Sequence, residues 1–214
     1  MSVCFYSENS VSSVATTLYC MKSAAIILAA GFSSRMGSDK ALLELGGRTT
    51  LEQIVSSYQA AGIGQVVVVT GQNHAALVQL CLPVELVQNP DPTAGMFSSI
   101  QTGVAALGPA TDAFFVQPVD IPLVSPATLT GLLAALQQHP AADGVIPLFN
   151  GKRGHPPLLR MTLRQELLHA DAAGGLRSLY CGWRMLELPS EDQAVLLDMD
   201  TPEQYARLKG RITG

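Results

Sequence analysis

Two carboxylates and two cations stand out for where they fall. Asp120 and Asp200 each close an apolar run ahead of a helix-start signal, in "QPVDIPLVSP" and "LLDMDTPEQY". Arg35 and Lys40 follow a third apolar run that breaks at Gly31, in "LAAGFSSRMGSDK". Mg²⁺ takes one or two protein carboxylates and completes its shell from substrate phosphates, so Asp120 and Asp200 are candidate metal ligands. Each also has a plainer reading. Asp120 can be a turn or cap residue, and Asp200 can favour the dipole of the helix that follows it. Arg35 offers planar, paired donors and Lys40 a mobile point charge, both suited to phosphate oxygens. Backbone N–H groups from Gly31 through Ser33 and Ser34 can turn toward the same anion. The spacing is neither GxxxxGK[ST], since Asp39 precedes Lys40 and Ala41 follows it, nor GxGxxG.

Three further stretches could complete a site. In "NPDPTAGMFSSI" Gly95 opens a helix with Ser98 and Ser99 in its first turns, which suits close approach by a flat base or a ribose. In "GKRGHPPLL" Lys152, Arg153 and His155 sit in a loop stiffened by proline, a place for a second substrate. "HADAAGGLRSL" is another glycine-containing turn, with Asp171 and Arg177.

The elements that must position these residues alternate. "AAIILAA" (24–30) and "QVVVVTG" (65–71) read as strands buried on both faces. Between them a helix is expected, with Thr50 as N-cap, Gln53 at capping-box distance and Gly62 at its end. Strands follow at 84–89, 113–120 and 144–150 and around "WRMLELP", with a short apolar strand before Asp198 and Asp200. Helices are expected over "AALVQLC", "MFSSIQTGVAAL", "SPATLTGLLAALQQ" (Ser125 the cap) and "TLRQELLHA", and from Thr201 onward. Alternation of this kind implies an α/β layered domain, whose ligands gather beyond the carboxyl ends of the strands.

The bulk properties agree. The chain has 214 residues, 48% hydrophobic and 14% charged, enough for one core and too apolar for general disorder. A net charge of -4 speaks against a nucleic-acid surface, and no apolar run approaches the roughly 18 residues of a membrane span, so a cytoplasmic protein is expected. The four cysteines form no CxxC or His-paired cluster and read as structural, reduced thiols. Residues 1–20 are Ser/Thr-rich and lack signal-peptide features, so a leader of uncertain role, or an arm, precedes a single domain over 21–214.

Together these motifs resemble the MobA/MocA group of nucleotidyltransferases. "LAAGFSSRMGSDK" matches LAAGxSxRMGxxK, "PVDIPLV" the central aspartate motif, "GHPPLL" the GHP loop and "DMDTPEQY" the terminal DxDTPEDY-like motif. They occur in the same order and span most of 22–205. The chain is most similar to the MocA branch, the molybdenum cofactor cytidylyltransferases, because it has Ala30 where guanylyltransferases usually carry glycine and because it keeps the GHP loop. The resemblance implies a three-layer Rossmann-like fold with a mixed, mostly parallel sheet and a Mg²⁺-dependent transfer of CMP from CTP to molybdopterin, releasing pyrophosphate. It places Leu28, Ala29, Ala30, Gly31, Ser33, Ser34, Arg35, Lys40, Gly95, Ser99 and Asp120 at the nucleotide. Arg35, Lys40 and Asp120 are the catalytic set, Asp120 and Asp200 the metal ligands, and Arg153, Gly154, His155 and Arg177 the acceptor site. A molybdoenzyme would receive the product. Two other readings remain: transfer to a sugar or alcohol phosphate, and a non-catalytic cofactor chaperone. "HADAAGGLR" follows the family's GDxGAR-like loop only loosely.

Overall fold

A computed structural model describes residues 21–31, 38–171 and 174–212. It starts with β1 (Ser23–Ala29), a small hairpin of β2 (Glu44–Leu45) and β3 (Arg48–Thr49), and α1 (Thr50–Ala60). Next come β4 (Gln65–Thr70), α2 (His74–Val78), β5 (Glu85–Gln88) and α3 (Met96–Ala106). The second half runs β6 (Ala113–Pro118), α4 (Pro126–Gln138), β7 (Gly144–Phe149), β8 (Lys152–Arg153) and β9 (Leu158–Arg160). It closes with α5 (Arg164–His169), β10 (Met185–Pro189) and α6 (Pro202–Ile212).

The main sheet has the order β10-β7-β9-β6-β1-β4-β5, with β8 added to β7. β1 pairs in parallel with β4 and β6, as do β4 with β5 and β7 with β10, while β9 is antiparallel to β6 and β7. The sheet is therefore mixed and mostly parallel. From β1 the chain goes to β4 and β5 on one side, then returns to β6 on the other. That reversal opens a crevice beyond the carboxyl ends of β1 and β6, the usual ligand position in such sheets.

Alternation along the central strands fills two cores. Ala25 and Ile27 of β1, with Val66, Val68 and Phe115, meet Leu51, Ile54 and Tyr58 of α1 and Leu129, Leu132 and Leu136 of α4. Ala24, Ile26 and Leu28, with Val67, Val69 and Phe114, meet Ile100 and Val104 of α3 and Leu167 of α5. Each fully buried aliphatic or aromatic side chain adds about 1.5–3 kcal/mol, so the middle of the sheet is the stiffest part of the molecule. A third, small cluster of Leu45, Met199 and Leu208 seats α6 on the hairpin.

Several local expectations are corrected. The N-cap of α1 is Thr49, not Thr50, and its capping-box partner is Glu52, not Gln53. Thr50 is already engaged, because its N–H and its hydroxyl both donate to the Leu43 carbonyl. The run before Asp198 is not a strand. Asp192 caps a 3-10 turn over Gln193–Leu196, and the chain then passes Asp120 without joining the sheet. The stretch after His155, read as loop, contains β9, which is too short and too close to Pro156-Pro157 to show a strand pattern. Cys81 and Cys181 are free thiols, as expected, but both are exposed. Among the described residues no helix is long and apolar enough to cross a membrane. The expected leader, 1–20, lies outside the described residues.

Candidate functional site

The crevice is built from the ends of β1 and β6. Leu28 is in register with Pro118, and the Val119 N–H donates to the Leu28 carbonyl at 3.2 Å, which sets Asp120 beside the end of β1. A buried amide braces the turn that carries Asp120. Gln117 donates to the carbonyls of Pro118 (2.9 Å) and Ile121 (2.8 Å), and its own oxygen accepts from the Tyr58 hydroxyl at 3.1 Å. Tyr58 lies edge-on to Phe115 with centroids 5.5 Å apart. Burial pushes its hydroxyl pKa well above the ordinary tyrosine value, so it stays protonated and donates.

Asp200 arrives from the other end of the chain. Met199 is buried against Leu45 and Leu208, and its N–H donates to the Asp120 carbonyl at 3.0 Å. Gln204 then secures the segment. Its oxygen accepts from the N–H groups of Asp200 (2.9 Å) and Thr201 (2.8 Å), and its amide nitrogen donates to Asp198. With the Gln204 N–H donating to Thr201 Oγ1 at 3.3 Å, this is a capping box at the start of α6.

Lys40 joins the two arms. Asp39 Oδ1 accepts from the Ala41 N–H at 2.9 Å and caps the turn that carries Lys40. The Lys40 ammonium donates to Asp120 Oδ2 at 3.2 Å and to Asp200 Oδ1 at 2.5 Å. Burial alone would lower the Lys40 pKa, but the hydrogen bond to Asp200 and the charge of Asp120 outweigh it and raise the pKa above the ordinary lysine value. Asp198 lies nearby. Burial, then the charges of Asp200 and Asp120, raise its carboxyl above the usual range.

The donor set fits a divalent cation completed by phosphate. Two carboxylate oxygens already converge on one cation, the ammonium. Among the described residues no group of three or more His, Cys, Asp or Glu side chains could hold a metal on its own. Two carboxylates with a vacancy for phosphate oxygens is the ligand count Mg²⁺ uses in such sites.

A cavity of about 300 Å³ opens beside this cluster. Of the residues read from sequence as nucleotide-binding, Leu28, Ala29, Ala30, Gly31, Lys40, Gly95, Ser99 and Asp120 all line it. Ser33, Ser34 and Arg35 lie outside the described residues. Gly95 begins α3 at φ +94°, a conformation L side chains rarely adopt, so glycine is required there. Ser99 is 95% buried and its hydroxyl accepts from the Asn89 amide at 2.9 Å, as does that of Ser98. Asp39, Pro92, Met96, Pro118 and Val119 complete the lining, and none of them was read as nucleotide-binding.

The residues read as acceptor-binding divide into two places. The His155 ring is buried enough to lower its pKa, the nearby Asp120 charge opposes that shift, and its Nδ1 has no hydrogen-bond partner among the described residues. The His155 N–H donates to the Val195 carbonyl at 2.8 Å, and the His155-Pro156 peptide is cis. Gly154 is fixed by the same strap, since a Cβ there would stand 2.7 Å from the Val195 oxygen. Arg153 instead pairs with Glu187 at 2.6 Å on the sheet's edge. Arg153 and Arg177 both act on Tyr180, whose hydroxyl burial pushes up to about 12 against the pull of the two arginines.

Sequence reasoning missed the braces: Gln117 and Tyr58 beneath Asp120, Asn89 beneath Ser99, and Asn73, whose amide donates to the Ala29 carbonyl at 2.9 Å. It missed Gln204 as well, the one support that carried a signal, because T-x-x-Q is the capping-box pattern.

Comparison with known proteins agrees with the fold and the motifs. Molybdenum cofactor guanylyltransferase of Xanthomonas euvesicatoria is 32% identical over 86% of this chain and 92% of its own. Molybdenum cofactor cytidylyltransferase of Escherichia coli is 27% identical over 88% and 96%. Nicotine blue oxidoreductase of Paenarthrobacter nicotinovorans is 30% identical over 86% and 94%. A crystal structure of Rv0371C from Mycobacterium tuberculosis in complex with manganese aligns with a TM-score of 0.73 at 25% identity, covering 89% of this chain and 99% of that one. The profile of the MobA-like NTP transferase domain matches residues 25–202, and the chain belongs to that family.

Proposed function

We propose that the protein transfers CMP from CTP to the terminal phosphate of molybdopterin and releases pyrophosphate, with Mg²⁺ as cofactor. The observation that carries this reading is the meeting of Lys40, Asp120 and Asp200 at the mouth of the cavity beside Gly31. An oxygen of the acceptor phosphate attacks the α-phosphorus of the nucleotide, the bond to the bridging β-oxygen breaks, and pyrophosphate leaves with the electron pair. The acceptor is already an anion, so no strong base is needed. Alignment of two polyanions and stabilisation of charge on the leaving group set the barrier.

Lys40 and Arg35 neutralise the triphosphate, beside backbone N–H groups of Gly31 to Ser34. Asp120 and Asp200 hold the Mg²⁺, which supplies charge neutralisation to the phosphates when bound. The nucleoside occupies the cavity, against Gly95 and Ser99 and the backbone of Leu28, Ala29 and Ala30. His155, a neutral ring beside Asp120, and the buried Gly154 form the near edge of the acceptor site, with Arg153 and Arg177 around Tyr180 farther out. Residues 21–214 act as one catalytic domain in the cytoplasm, 1–20 being a leader or arm of uncertain role, and a molybdoenzyme takes the product.

Cytidine is favoured over guanosine by Ala30 and by the His155 loop. The 32% identity to a guanylyltransferase makes GTP the alternative to test. Purified protein given CTP or GTP with Mg²⁺ and molybdopterin should release pyrophosphate faster with CTP. A GTP preference would reassign the base, release only with a sugar or alcohol phosphate would reassign the acceptor, and no release with any pair would sink the enzymatic reading in favour of a carrier.

A further inference from the structure

The ammonium of Lys40 stands at the point where the two carboxylates converge, 3.2 Å from Asp120 Oδ2 and 2.5 Å from Asp200 Oδ1. Mg²⁺ requires oxygen contacts of about 2.0–2.1 Å in near-ideal octahedral geometry, so a divalent ion seated between those two oxygens takes the place where this ammonium stands and displaces it. The Lys40 backbone is pinned by the Asp39 cap, but its four-carbon stem is flexible. Lys40 also lines the cavity with Gly31, so its ammonium has a second place to go once phosphate is present.

We propose that Lys40 is an internal counter-ion, holding the metal position closed until a triphosphate arrives to take its ammonium. Metal binding is thereby made contingent on nucleotide. The two carboxylates are neutralised before substrate arrives, and metal and triphosphate bind with positive coupling because the metal expels the ammonium from the carboxylates and the triphosphate accepts it. By linkage the coupling is reciprocal: triphosphate tightens metal as much as metal tightens triphosphate. This rests on the reading of Asp120 and Asp200 as metal ligands, and its test separates the two.

The full chain is titrated with Mn²⁺ by electron paramagnetic resonance, with no acceptor present. One series has no nucleotide, and another has a non-hydrolysable CTP analogue, with Mn²⁺·nucleotide formation in buffer subtracted. Wild type should bind Mn²⁺ at least about tenfold tighter with the nucleotide than without it, a coupling within the usual allosteric range. In Lys40→Met, Mn²⁺ alone should bind about tenfold tighter than to wild type, and the coupling should fall by about the same factor, leaving what direct metal–phosphate coordination supplies. No gain for Mn²⁺ alone, or an equal gain with and without nucleotide, overturns the counter-ion role, the second outcome being a general charge effect. Asp120→Asn and Asp200→Asn should both weaken Mn²⁺ binding. If neither does, the metal-ligand reading itself fails. Should Lys40→Met fold poorly, Lys40→Gln and the Mn²⁺-induced rise in its melting temperature give the same decision.

Discussion

Asp120 and Asp200 both pair with one ammonium, but they are supported in unlike ways. Asp120 leaves the central sheet, and every brace beneath it is buried: Gln117 is 1% exposed and Tyr58 also 1%. Asp200 is held by Met199 in a three-residue satellite cluster and by a capping box at the surface. The exposures follow, 24% for the Asp120 side chain against 40% for that of Asp200. One arm is set when the sheet folds. The other is set only when the C-terminal segment docks, and local opening should strike it first.

Removing each carboxylate gives the largest effects and weighs the two arms. Asp120→Ala should lower kcat/KM for pyrophosphate release by about 10³ and Asp200→Ala by about 10², near the range for deleting one electrostatic contact in a reacting site. Equal losses would remove the functional side of the contrast. Met199→Ala should destabilise the protein by about 2–3 kcal/mol through the cavity it leaves. Amide exchange should then rise in α6 and the β2–β3 hairpin while β1 and β6 stay protected, and uniform exchange would show that the segment is no separate unit.

Tyr58→Phe strikes the other arm. It leaves the Gln117 oxygen buried without a donor, at a cost of about 1–3 kcal/mol, read as a lower midpoint in urea. The smallest effect is at Asp192, which ties the start of the C-terminal segment to α4 through the Ser125 N–H (2.9 Å) and the Thr128 hydroxyl (2.7 Å). Burial pushes the Asp192 carboxyl up, but these bonds and that from Ala194 outweigh it and hold its pKa below the ordinary range. The stability it contributes is present above the unfolded carboxylate pKa of about 3.9 and is lost as pH falls through the lower folded value. Asp192→Asn should therefore lower the melting temperature at neutral pH and narrow the gap to wild type in acid. A constant gap would refute the assignment.

What the sequence showed and what it hid follow the same division. The strands of the central sheet were legible because continuous apolar runs bounded by glycine have few other solutions. The motif residues were legible because cations and carboxylates near strand ends are costly unless used. Gln117, Asn73 and Asn89 were not, since an amide in or beside a strand has no periodic mark and acquires its role only from partners distant in sequence. The segment before Asp198 misled for a related reason: Val195 and Met199 are apolar because they are buried individually, Met199 in a satellite cluster, not because they join a ladder. The one-residue shift at Thr49 arose because two adjacent threonines are equal candidates until the Leu43 carbonyl claims one of them.

The reversed strand β9 has a consequence for how the crevice is walled. Parallel strands deliver to the catalytic edge only the loops that follow them, as β1 and β6 do. Because β9 runs the other way, the segment that precedes it, Gly154 to Pro157, reaches that same edge from the opposite chain direction. β9 itself is brief, three residues long, and runs directly into a 3-10 turn and α5. Its lead-in is tied to the sheet by the Val116 N–H, which donates to the Pro157 carbonyl at 3.1 Å. An antiparallel strand in this position gives the crevice a wall that is independent in sequence of the loops after β1 and β6.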